Sequence, residues 1–238
     1  MNFLQLCQRA VTDCGASGTL VTTAGSQPLN LQRIINWVGD AWNEIQTAHD
    51  DWDWMRSSGL LGGGASFVPA AGQYRSAIGT GAGTVGVSWA DFGKWDRETF
   101  RCFTTTAGTS NEQFLDWVPY DTWRDSYMLG AMRQVQTRPV AFTIGTDQSI
   151  NLGPPPNGLY TITGDYFRAP SAMVDDDDVP EWLPARFHML IVYKAMLKYA
   201  GYESAMEVFE RASMEWNGLY PQLEAGRLPE ASFAGALA

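Results

Sequence analysis

A chain of 238 residues with 45% hydrophobic and 13% aromatic side chains can bury one good-sized core and a smaller second one, which excludes intrinsic disorder and any need for a disulfide or metal staple. Its 16 Lys and Arg against 26 Asp and Glu leave a net charge of −10, so a broad cationic surface that grips phosphates is excluded as well.

Phe3, Leu4, Cys7, Ala10, Val11 and Cys14 recur at helical spacing and predict a first helix, ended by Gly15 and Gly18. Cys7 and Cys14 lie on it about 10 Å apart at 1.5 Å of rise per residue, too far for a disulfide. With Cys102 as the third cysteine, the plain reading is reduced, buried thiols in a protein made in the cytosol. The start Asn2-Phe3-Leu4-Gln5 lacks the basic residues and long apolar run of a secretion signal, and the most apolar stretch, Phe187 to Tyr193, is far short of the ~20 residues that cross a bilayer. A soluble protein with no membrane partner is expected.

After a Ser/Thr/Gly loop, Leu31, Ile34, Ile35, Val38, Ala41, Trp42 and Ile45 form one continuous apolar stripe. Gln32, Arg33, Asn36, Asp40, Asn43 and Glu44 occupy the opposite face, so this second helix lies on a core with one side wet. From about Arg56 to Phe167 the pattern turns to short β-rich runs: Thr99 to Thr106, Val140 to Ile144 and Tyr160 to Thr163, cut by turn signals such as Gly153-Pro154-Pro155-Pro156 and Asn157-Gly158. Within them, Pro119 opens a short helix that places Tyr120, Trp123 and Tyr127 on one side. Helical spacing returns in Phe187, Leu190, Ile191, Leu197 and Ala200, with Pro184 at the start and Gly201 as the break. It resumes in Ala205, Val208, Phe209, Ala212, Trp216 and Leu219 before Pro221. The chain therefore reads as α+β, its N- and C-terminal helices forming a helical bundle and its centre an antiparallel β-sheet or small β-barrel insertion. The expected parts are an N-terminal helical part at 1–55 and a β-rich domain with a short embedded helix at 56–170. A C-terminal helical part at 171–222 packs on 1–55, and 223–238 form an extended tail.

Chemistry of the usual kinds finds little foothold. Two histidines, His49 and His188, are a poor supply for an enzyme. His49 stands beside Asp50, Asp51 and Asp53, but the run has no HExxH, and an EF-hand loop counted from Asp51 would need glycine where Arg56 stands. A solvated helix end with Trp52 and Trp54 as anchors is the plainer account, and no metal or cofactor is expected. Gly81-Ala82-Gly83-Thr84-Val85-Gly86 matches GxGxxG as a string, yet the following Val87 to Phe92 reads as extended and not as the helix start a dinucleotide needs; a hairpin tip explains these glycines better. Asp175 to Asp178 read as an exposed loop before a helix N-terminus, where negative charge is favoured. The ten tryptophans are more than a core of this size buries completely, which points to a large interface.

The order of motifs resembles the head-tail adaptor, or connector, proteins of tailed double-stranded DNA bacteriophages. The features that carry the resemblance are Leu31 to Val38 running through Trp42, Ile45 and His49 into Asp51-Trp52-Asp53-Trp54-Met55-Arg56; then Tyr120 to Arg124 and Arg138-Pro139. They continue through Gly158 to Ile162, Asp165 to Pro170, the acidic run, Pro180 to Pro184, Phe187 to Tyr193 and Ala200 to Ala205. The resemblance implies a virion structural protein with no catalytic residues, made in the host cytoplasm and located at the neck between capsid and tail. It would assemble as a homo-oligomeric, commonly dodecameric ring that binds below the portal protein and receives tail or nozzle proteins. Double-stranded DNA would pass through its lumen without sequence-specific binding. On that reading Asp175, Asp176, Asp177 and Asp178, or the group Asp50, Asp51 and Asp53, face the lumen or a rim, and Trp52, Trp54, Trp123, Trp182 and Trp216 are candidate interface aromatics. Two other classes stay open on the residues alone: a carbohydrate- or receptor-binding β module that uses exposed Trp and Tyr, and a two-carboxylate hydrolase built on pairs such as Asp51 with Asp53.

Overall fold

The computed structural model describes residues 1–16, 21–25, 27–58 and 63–229. The chain begins with helices α1 (Phe3–Asp13) and α2 (Leu29–Thr47). Strands β1 (Arg56–Ser57), β2 (Ala65–Phe67), β3 (Arg75–Ser76), β4 (Phe92–Trp95), β5 (Arg101–Thr104), β6 (Gln113–Phe114) and β7 (Asp116–Trp117) follow. Helix α3 (Tyr120–Tyr127) precedes β8 (Ala141–Ile144), β9 (Ile150–Gly153), β10 (Tyr160–Gly164) and β11 (Tyr166–Arg168); α4 (Met189–Glu203) and α5 (Met206–Arg227) close the described chain. The architecture is α+β, and the residues divide into a helical unit, Met1–Met55 with Pro170–Ala238, and a β unit, Arg56–Ala169.

In the helical unit α1 starts on a capping box: the Asn2 side chain accepts from the Gln5 N–H and the Gln5 side chain accepts from the Asn2 N–H. It ends where Gly15 turns into the left-handed region at φ +67, with Gly15 and Ala16 N–H groups returning to the Thr12 and Val11 carbonyls; Gly18 lies outside the described residues. All seven stripe residues of α2 are buried, and so is Gln46, whose amide donates to the Ser171 carbonyl and accepts from its N–H. Helix α4 packs against α1, α2 and α5, and Leu190, Ile191, Val192, Ala195, Met196 and Ala200 are buried on it, as a helix with neighbours on several sides requires.

Two expected stops are overridden. Helix α4 passes Gly201 and ends at Ser204, which holds φ +55; glycine costs a helix about 1 kcal/mol relative to alanine, too little to end one anchored on a core. Helix α5 runs through Pro221 to Arg227, so the extended tail expected from residue 223 does not begin there, and residues 230–238 lie outside the described part. Proline removes one backbone hydrogen bond, but the turn beyond it is tied down by fully buried Leu223, by Glu224 at 2.9 Å from His49 and by Arg227 at 3.2 Å from Asp53.

Among the described residues the β unit holds three small sheets rather than one, in the orders β1-β11-β4, β2-β10-β5-β6 and β3-β9-β8-β7. All pairings are antiparallel except β7 with β8. Inward-facing Phe100, Cys102, Phe142, Ile150, Leu152 and Ile162 are fully buried at its centre. The Phe100 ring fills the space above Gly164, where a Cβ would meet it at 2.7 Å. The glycine string Gly81 to Gly86 is a tight turn, not a helix start: Gly83 and Gly86 hold φ +75 and +79, the Thr84 hydroxyl donates to the Gly79 and Gly81 carbonyls, and Gly79 bridges Val87 antiparallel.

Candidate functional site

The acidic run is built into the start of α1. The Phe3 N–H donates to the Asp178 carbonyl at 2.7 Å and the Leu4 N–H to the Asp176 carbonyl at 3.1 Å, so two of the helix's orphan donors are satisfied by the loop. Asp178 Oδ2 accepts from the Val174 and Asp175 N–H groups at 2.6 and 2.8 Å, which holds its carboxyl below the usual range. Asp176 Oδ1 accepts from the Ala24 N–H at 2.6 Å. Four carboxylates beside this N-terminus suit its partial positive charge. The helix served is α1, far away in sequence, and not the one that follows the run. Asp175 and Asp177 keep exposed side chains, as do Val174 and Val179 at 72% and 52% accessibility.

The other acidic group is tied into the far end of the same unit. Asp53 pairs with Arg227, and His49 sits between the Glu224 carboxylate and the Trp52 ring, 4.8 Å from its centroid. Among the described residues no three His, Cys, Asp or Glu side chains are grouped to hold a metal ion, and no helix is long and apolar enough to cross a membrane.

The candidate aromatics separate by burial. Trp52, Trp54 and Trp123 are at most 7% accessible and pack chiefly within the chain, with Trp123 also lining a cleft on the β unit. Trp42 stacks on Trp54 at 5.7 Å and Trp52 tilts against Trp54 at 5.9 Å, a cluster that anchors the end of α2. Trp216 is half-buried, stacked on Tyr220 at 4.5 Å with Lys194 over its ring. Trp182 is 59% accessible. Counting tryptophans therefore overstates the interface, because the indoles fill two cores.

The aromatic surface that does reach solvent was not legible in the sequence, because its members are scattered from residue 74 to residue 167. Two clefts of about 670 and 660 Å³ lie on the β unit and share Tyr120 and Gly145 in their walls. In the first, Tyr74 and Tyr120 tilt against Trp123, each at 5.9 Å, beside Arg75, Arg124 and Arg133. In the second, Arg97 stacks over Trp117 at 4.5 Å and Lys94 over Phe167 at 5.1 Å. Arg75 pairs with Asp147, whose carboxyl is held down to about 2 by the Ser149 hydroxyl and then by Arg75; Arg124 faces Asp121 and Asp125. Among the described residues no carboxylate lies within ion-pair distance of Lys94, Arg97 or Arg133. Arg133 instead caps α3 by donating to the Met128 carbonyl. The arrangement can hold an extended partner by apolar and charged contacts.

Among curated proteins none matches the chain. One family model, described as SU10 adaptor protein, matches residues 1–236. A match over nearly the full length takes in both units and every motif that carries the resemblance, and so the chain belongs to the SU10 adaptor protein family, a structural adaptor of a bacteriophage virion.

Proposed function

We propose that the protein is a head-tail adaptor whose copies form a ring, of the dodecameric kind, below the portal, joining the capsid vertex to tail proteins while double-stranded DNA passes through the lumen. The observation that carries this reading is the family match across residues 1–236. The surface chemistry supports it. A wall around moving DNA must not hold phosphates, and a chain of net charge −10 repels them over a Debye length of about 10 Å at 0.1 M salt. On this reading the acidic loop at Asp175 to Asp178, or the Asp50, Asp51 and Asp53 group, faces the lumen or its rim. The half-exposed Trp216 and exposed Trp182 belong to contacts between copies or with the portal. Catalysis has no place in it: Asp53, the second member of the candidate carboxylate pair, is committed to Arg227. Location at the virion neck, after synthesis in the host cytoplasm, follows from the same role.

The test is to mix the purified chain with a candidate portal protein and image the product by electron microscopy. A ring of this chain stacked coaxially on the portal is the expected result. Monomers that leave the portal bare would overturn the reading. Specific binding of a glycan to the isolated monomer, abolished by Tyr120→Ala, would favour the receptor-binding module instead.

A further inference from the structure

We infer that the aromatic groove of the β unit receives the acidic segment 174–182 of a second copy of this chain; the inference rests on the ring reading above, leaves the lumen or rim to the Asp50, Asp51 and Asp53 group, and names the contact that builds the ring. Copies carrying −10 each repel one another, so a stable contact must form where the local sign inverts. The groove is such a place. Lys94, Arg97 and Arg133 are exposed there without carboxylate partners among the described residues, and of the acids in its walls Asp96 is bound to Arg56 and Asp147 to Arg75, leaving Glu98 to oppose them. Its floor of tilted rings offers apolar surface between the charges.

The segment has the matching composition. Asp175, Asp177 and Glu181 present exposed carboxylates, and Val174 and Val179 are apolar and 72% and 52% accessible. Its shape is fixed before any partner arrives, because Asp176 and Asp178 hold it to Ala24 and to the first N–H groups of α1. The ordering cost thus falls on folding and not on association. Groove and segment are different patches, so a contact between copies that joins them is heterologous, the type whose repetition gives a ring when the rotation closes.

The test uses the full chain in two charge-reversed forms: Lys94→Glu with Arg97→Glu in the groove, and Asp175→Lys with Glu181→Lys in the segment. None of these four side chains holds its own unit together through a hydrogen bond or ion pair among the described residues. Assembly is read by sedimentation and by electron microscopy on the portal. Each form alone should weaken assembly at least tenfold, and an equimolar mixture of the two should restore it, since opposite charges then alternate around the ring. Wild-type rings made from mixed ¹⁴N and ¹⁵N copies and coupled with a carbodiimide should give hybrid cross-links from Lys94 to the 174–182 segment, a readout that does not depend on how the variants fold. If wild-type rings form and either reversed form assembles equally well, or the mixture fails to recover, or no such cross-link appears, this contact is wrong and the ring reading stands. A groove variant that keeps its ring but loses tail or portal proteins assigns the groove to another partner and likewise overturns it. If the wild type forms no ring alone or on the portal, the ring reading itself fails and this contact with it.

Discussion

His188, one of the two histidines that make a poor supply for an enzyme, is part of the architecture. It is 7% accessible, its Nδ1 lies 2.8 Å from the Met1 ammonium and its Nε2 3.1 Å from the Leu183 carbonyl. An ammonium only donates, so Nδ1 accepts and Nε2–H donates, which selects the neutral ring. Burial lowers its pKa from the ordinary 6.5, with the nearby ammonium adding to the effect. The unfolded chain therefore takes up this proton at a higher pH than the folded one, so the contribution to stability is complete above the ordinary value and is lost as pH falls below it. Thermal melts of the wild type should show a midpoint that drops between about pH 7.5 and 5.5, and His188→Gln should flatten that slope; an equal slope in the variant would assign the dependence elsewhere. The acidic loop is a residue-scale device too. Asp178 commits its carboxylate to two backbone N–H groups and Asp176 to a third, so this dense cluster of charge is largely a cap, with Asp175 exposed and Asp177 accepting from the Asn2 side chain at 3.5 Å.

At the scale of elements, periodicity reported α2 well because one wet face makes its stripe visible, and every stripe residue is buried. Helix α4 was harder to bound, since a helix with neighbours on several sides carries apolar residues all round and blurs its own pattern. Gly201 and Pro221 are local signals defeated by contacts made elsewhere: α4 continues because it is anchored on the core, and α5 because Leu223, Glu224 and Arg227 find partners on other elements. The strands were legible one by one in Thr99 to Thr106 and Tyr160 to Thr163, but which strand pairs with which is set by contacts such as β1 with β11, from opposite ends of the β unit, and short-range alternation does not encode those. The groove escaped for the same reason, as Trp123 alone among its rings stood with the candidate interface aromatics, and Trp123 is the buried one. If the turn beyond Pro221 is held as described, Leu223→Ala should cost roughly 2 to 5 kcal/mol, read as a lower denaturant midpoint. The neighbouring exposed Gln222→Ala should stay within about 0.5 kcal/mol. Equal small losses for both would mean that this turn is not packed.

For the molecule as a whole, charge is the property that bears on DNA. With 26 acidic against 16 basic side chains, the chain at micromolar concentration should leave linear duplex DNA unshifted in a gel at about 0.15 M salt. Retardation at that concentration would contradict the picture of a wall that DNA slides past. The division into units has a separate consequence for how the protein is made. The β unit is contiguous, Arg56–Ala169, whereas the helical unit needs both Met1–Met55 and everything after Pro170. On the ribosome α1 and α2 emerge first, yet the partners of Leu6, Ile34 and Val38 on α4, and the loop carbonyls that cap α1, are translated last. The inserted unit can close while the two early helices keep their apolar faces open. A chain cut short anywhere before α4 would thus leave the apolar faces of α1 and α2 without their last-made cover.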